Sequence, residues 1–190
     1  MVALDLDEMQ QMLQELAHQF ALDEIRPNAE YWDKESEYPL QAIKAADELG
    51  LLNLHIPEEY GGAGLGSMEE VVVTEELAWG DPGFATAAYA TSLAIAPIIT
   101  GGTEEQKQKW LRKVAEEVAL ASYCVTEPQA GSDVASIATT ATKDGVDYII
   151  NGEKMFITGA GYADFFFVLT KTDSAAGYKG MSGFVVESNA

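Results

Sequence analysis

Ala119-Leu120-Ala121-Ser122-Tyr123-Cys124-Val125 marks the place where this chain changes its grammar. Before it, apolar residues recur every three or four positions, the spacing of one face of an amphipathic helix. After it, they fall in short β-branched or aromatic runs parted by Gly, Asp and Asn. Strands are expected over residues 119–125, 138–141, 148–151, 165–170 and 183–186. The reading is α+β: an N-terminal helical bundle over 1–118, followed over 119–190 by an incomplete antiparallel β barrel or sandwich. A handful of short strands leaves open edges, which normally have to be paired or covered.

Working back from this boundary, five helices are expected. The first carries Leu6, Met9, Leu13, Leu16, Ala17 and Phe20 on one stripe, and Pro27 interrupts the acidic stretch after it. Tyr38-Pro39 opens a second through Leu40, Ile43, Ala46 and Leu49 that stops at Gly50. Pro57 to Gly66 is a glycine-rich loop, with no lysine in the position that a phosphate cradle requires. Ser67-Met68-Glu69-Glu70 reads as a capping box and starts a helix to about Trp79. Residues 82–103 carry no charge, but their Ala, Thr, Ser and Gly content, with Pro97 inside, suits a helix sheathed by protein better than one in lipid. Thr103-Glu104-Glu105-Gln106 caps the last helix, to Val118. Ser174-Ala175-Ala176-Gly177 reads as a floppy loop.

Composition narrows the function. The 190 residues hold 11 basic and 31 acidic groups, a net charge of −20, which disfavours nucleic acid and anionic membrane surfaces as partners. The acid is concentrated in the helical part: 7 basic and 23 acidic residues up to residue 120, against 4 and 8 beyond it. Cys124 is the single cysteine and His18 and His55 are far apart, so neither a disulfide nor a metal-ligand spacing is present. The acidic start Met1 to Glu8 lacks the basic character of a targeting segment, and the cytoplasm is the expected compartment.

Three segments carry the chemical signal: Tyr123-Cys124-Val125-Thr126-Glu127-Pro128-Gln129-Ala130-Gly131-Ser132-Asp133, Tyr148-Ile149-Ile150-Asn151-Gly152-Glu153-Lys154-Met155-Phe156-Ile157-Thr158, and Leu54-His55-Ile56-Pro57-Glu58-Glu59-Tyr60-Gly61-Gly62. In this order and spacing they resemble the acyl-CoA dehydrogenases, medium-chain members above all. The resemblance runs through essentially all 190 residues. It implies an FAD-dependent oxidoreductase that converts an acyl-CoA thioester to the trans-2-enoyl-CoA and passes electrons to an electron-transfer flavoprotein, commonly as an oligomer. It also implies a C-terminal four-helix domain beyond these residues that holds the catalytic glutamate, so no catalytic base is assigned here and the chain is expected to be inactive alone.

A flavin ring needs hydrogen-bond donors along its edge and an apolar wall over its face. The resemblance assigns Tyr123, Val125 and Thr126 to the pyrimidine side of the ring and Thr158 to the neighbourhood of N5. Phe156 stands where many members have tryptophan. Gly131 and Ser132 correspond to positions near the FAD pyrophosphate and the pantetheine arm of the substrate, and Gln129 replaces a frequent glycine. On the uncharged helix, Tyr89, Leu93 and Ala96 share a face that lines the acyl tunnel in the family, and Tyr89, Leu93 and Ser132 are the expected substrate contacts.

Plainer readings stand beside these. Tyr123 and Val125 alternate as in any half-buried strand, Phe165 to Phe167 suits a core, His55 suits a packed and satisfied histidine, and Cys124 suits a small buried hydrophobe. The alternative function is a non-catalytic acyl- or flavin-binding assembly subunit of a heteromer. A flavin monooxygenase or nitroalkane oxidase on the same fold is a third option.

Overall fold

The computed structural model describes residues 5–190; of the acidic N-terminal segment, residues 1–4 lie outside it. Seven α-helices precede five strands among the described residues: α1 (Glu8–Phe20), α2 (Arg26–Glu35), α3 (Leu40–Glu48), α4 (Ser67–Gly80), α5 (Pro82–Ala88), α6 (Ala90–Gly101), α7 (Glu104–Glu117), β1 (Ala121–Cys124), β2 (Thr140–Asp144), β3 (Asp147–Asn151), β4 (Phe165–Lys171) and β5 (Met181–Glu187). All five expected strands form, within a few residues of the expected bounds.

The helices exceed the expected five because α2 continues past Pro27 and the uncharged helix divides at Tyr89. Pro27 does not end the helical run: a π-helical turn over Ala21–Ile25 carries α1 into α2, and Pro27 sits in the first turn of α2, directly after that widened turn. The uncharged stretch Pro82–Gly101 is long and apolar enough to cross a membrane by length and composition alone, yet more than half of it is buried against the rest of the chain. It divides at Tyr89 into α5 and α6.

The cap of α4 also differs from expectation. Gly66 is the N-cap residue, and its backbone N–H donates to Glu69 at 2.9 Å, so Ser67 is already helical and Glu70 is released for another task. Gly62, in the glycine-rich loop before it, is required sterically: a Cβ there would lie 2.1 Å from the Ile56 carbonyl oxygen. Residues 174–180, expected in part as a floppy loop, wind into 3₁₀ turns.

The sheet is open and mixed, where an antiparallel one was expected. β4 is its hub, with β1 parallel along one side and β5 antiparallel along the other. β2 and β3 form an antiparallel hairpin attached to β4 through the parallel pair Thr140 and Lys171. The parallel β1–β4 pairing is reached because some forty residues separate the two strands, ample for a crossover.

Two cores hold the molecule. Phe20, Ile25, Ile43, Leu77 and Phe84 close the helical part, whereas Ile95, Ile98, Trp110 and Leu111 of α6 and α7 pack directly on Phe165 and Phe167 of β4. Trp110 and Phe165 meet with ring centroids 4.7 Å apart, and Tyr123 stacks on Phe167 at 5.5 Å. The core reading of Phe165 and Phe167 holds, and the second core joins the helices to the sheet.

Candidate flavin and acyl site

A cavity of about 870 Å³ opens between the helices and the sheet. One wall comes from the end of β1 and the segment that follows β3; the other comes from α4, α5 and α6. Its strand wall is lined by Tyr123, Val125 and Thr126, by Gly131, and by Phe156 and Thr158. Tyr89 and Leu93 line the helical wall. Ser132 alone among the expected site residues is absent from the lining, exposed beside Gly131.

Thr126 and Thr158 come together because their segments are clipped to each other. The Met155 N–H donates to the Thr126 carbonyl at 2.9 Å, and the buried Ser122 hydroxyl donates to the Thr158 carbonyl at 2.7 Å. The Lys154 ammonium adds a third clip, donating to the Val125 carbonyl at 3.0 Å.

Beneath these clips lies an ion pair. Lys154 Nζ is 2.8 Å from Glu127 Oε1, and both side chains are almost wholly buried, at 10% and 2% exposed. Glu127 also accepts from the backbone N–H groups of Ala138 and Thr139 and from the Gln129 amide. Burial alone would push the Glu127 carboxyl up. The backbone N–H of Ala138, the Lys154 ammonium and the backbone N–H of Thr139 outweigh it and bring the carboxyl down to about 2. Glu127 meets four donors and Lys154 two acceptors, which holds the pair in place. Sequence reasoning missed it, since nothing local pairs residues 27 apart.

Phe156 adopts a left-handed backbone, φ +59°, and its ring is 86% exposed. A bulky residue there is strained, and such strain is retained mainly where it aims a side chain at a task. Cys124, by contrast, is buried and its thiol is pushed up to about 11 by that burial, with Lys154 opposing; it is an inert small hydrophobe, as expected.

The helical wall departs from expectation. His55 is not simply satisfied: its Nδ1 pairs with the Glu70 carboxylate, while its buried Nε2 has no partner among the described residues. His55 and Glu70 both line the cavity. Tyr89 also ends in a buried hydroxyl without a hydrogen-bond partner. Burial pushes that hydroxyl up to about 12 and the Glu70 charge adds to the rise; the nearby Thr74 hydroxyl opposes it, but it donates to the Glu70 carbonyl and makes no hydrogen bond of proper geometry with Tyr89. Glu70 was hidden in the sequence by its apparent role in the helix cap.

The chemistry of this donor set suits a flat, partly polar ring: the strand wall combines two hydroxyls and a glycine backbone with Tyr123, Val125 and Phe156. Comparison with known proteins gives the family. Residues 7–117 match the family described as acyl-CoA dehydrogenase, N-terminal domain, and residues 122–190 match acyl-CoA dehydrogenase, middle domain. The chain belongs to the acyl-CoA dehydrogenase family. It is 43% identical to a probable medium-chain specific acyl-CoA dehydrogenase 2, mitochondrial, of Caenorhabditis briggsae, over 99% of this chain and 47% of that protein. Among solved structures it is similar to butyryl-CoA dehydrogenase from Megasphaera elsdenii, with a TM-score of 0.92 and 35% identity over 98% of this chain and 50% of that one. An acyl-CoA dehydrogenase of Bacillus anthracis complexed with FAD gives a TM-score of 0.85 and 35% identity, over 96% of this chain and 31% of that one. The chain spans about half the length of the curated relatives it matches.

Proposed function

We propose that this chain is the N-terminal portion of an FAD-dependent acyl-CoA dehydrogenase that converts an acyl-CoA thioester to the trans-2-enoyl-CoA. The observation that carries this reading is that Thr126 and Thr158, 32 positions apart in sequence, line one cavity with Tyr123, Val125 and Phe156. When bound, FAD supplies the acceptor for the hydride that leaves the β-carbon. The Thr126 and Thr158 hydroxyls donate to the edge of the ring that gains charge, and donors fixed in advance favour that change. Tyr123 and Val125 pack the ring and exclude water, and Phe156 covers its face. Gly131 leaves room for a pyrophosphate to approach the backbone, with Ser132 beside it offering its hydroxyl to the pantetheine side of the substrate. Tyr89 and Leu93 hold the acyl chain, and residues 1–118 and 119–190 act as the helical and middle β domains of the complete protein.

The α-proton needs a carboxylate of its own. Glu70 is the one carboxylate lining the cavity among the described residues, and it is already engaged by His55. This supports a base supplied from outside residues 1–190, and an inactive isolated chain. Electrons then pass to an electron-transfer flavoprotein, and the active form is an oligomer. A cytoplasmic location completes the proposal; cell fractionation tests it, since the Caenorhabditis briggsae relative is mitochondrial.

The experiment is anaerobic titration of the native gene product with acyl-CoA. A yellow protein whose visible flavin absorbance is bleached by the thioester is the expected result. A protein that stays colourless after incubation with FAD overturns the reading and leaves the assembly-subunit alternative.

A further inference from the structure

A cavity that takes only a hydrocarbon tail needs only an apolar wall, and this one has more. Among Ala90, Leu93 and Ala96 stand His55, Glu70 and Tyr89, and two of these three end in a buried polar atom without a partner. A buried polar atom left unpaired is destabilising, and two of them on one cavity are a poor arrangement for a tunnel that holds only methylenes. We propose that the acyl group taken by this cavity ends in a hydroxyl, held between His55 Nε2 and the Tyr89 hydroxyl. This rests on the acyl-CoA dehydrogenase reading and deepens it by naming a substrate class.

Donor and acceptor counting leads to this group. With Nδ1 taken up by the Glu70 carboxylate, the neutral imidazole that carries its proton on Nδ1 presents Nε2 as a lone-pair acceptor. The Tyr89 hydroxyl stays protonated across the working pH range and is a donor. One alcohol group answers both, donating to Nε2 and accepting from Tyr89. A terminal methyl answers neither. A terminal carboxylate cannot donate to Nε2 and meets the negative charge of Glu70.

The test sets hexanoyl-CoA against 6-hydroxyhexanoyl-CoA, with shorter and longer pairs in parallel, on the native gene product loaded with FAD. Turnover with a dye acceptor gives kcat/KM, and calorimetry with CoA thioethers that lack the carbonyl, and so are not oxidised, gives binding apart from chemistry. The hydroxylated member is expected to be preferred in both, and Tyr89→Phe and His55→Leu each to lose about tenfold of that preference. Tyr89→Phe deletes only an unpartnered hydroxyl, so its Tm is expected not to fall, which separates lost recognition from lost folding. A coloured protein that prefers the plain chains at every length, or whose preference survives Tyr89→Phe, overturns the inference alone. A colourless protein that binds neither thioester overturns the dehydrogenase reading, and this inference with it.

Discussion

Lys154 reaches the buried carboxylate of Glu127 at 2.8 Å and ties the segment after β3 to the segment after β1. Removing one partner leaves an uncompensated charge in the interior, which costs about 3–5 kcal/mol, whereas replacing both with apolar groups is far milder. Glu127→Gln and Lys154→Met are each expected to lower the free energy of unfolding by that amount in a denaturant titration. The double variant is expected to lose much less than the sum, the signature of direct coupling. Additive losses would show that the pair does not hold the two segments.

The same carboxyl makes stability depend on pH. Its folded value of about 2 lies below the ordinary 4.5, so its contribution is fully present above about pH 4.5 and is lost as pH falls through 4.5 towards 2. The loss amounts to about 3 kcal/mol across that window. The acidic surface works the other way, because protonation relieves the repulsion of a chain carrying −20. The expected observation is therefore a difference: between pH 5 and 2 the parent loses stability relative to Glu127→Gln, and parallel curves would refute the assignment.

Ser122→Ala removes the buried hydroxyl that donates to the Thr158 carbonyl at 2.7 Å. A loss of about 1 kcal/mol in stability is expected, together with weaker FAD binding in a fluorescence titration, because the backbone that carries Thr158 loses its clip. FAD affinity equal to that of the parent would show that this bond does not position the hydroxyl.

Phe156→Gly is expected to separate stability from function. The ring is exposed and the backbone left-handed, so glycine relieves strain of about 1–2 kcal/mol at a smaller entropic cost. Unfolding is expected to be unchanged or slightly harder, while flavin release speeds up because the face of the ring is uncovered. A clear loss of stability would assign Phe156 to packing.

Gly62→Ala places a methyl against the Ile56 carbonyl and is expected to cost about 1–3 kcal/mol, read as a lower Tm with little change in the flavin site.

Legibility in the sequence tracks the distance over which each feature is determined. The five strands were legible because turns and β-branched runs are local, and so was the cap of α7, where Thr103 accepts from the Gln106 N–H at 3.3 Å. The direction of β1 beside β4 was not, since strand pairing depends on residues far away. The break at Tyr89 was invisible because nothing in Ala88-Tyr89-Ala90 announces a helix end. In the site, the hydroxyls and aromatics lie within contiguous segments that could be read as units. The Glu127–Lys154 and His55–Glu70 pairs bridge separate segments, so no residue of either pair shows its partner locally.

The two faces of the cavity have separate origins, strand ends on one side and helices on the other, and this makes the protein divisible by design. An exchange of residues 67–96 for the corresponding helices of a relative is therefore expected to change the cargo, with Thr91 and Ile95 kept because they join α6 to β1 and β4.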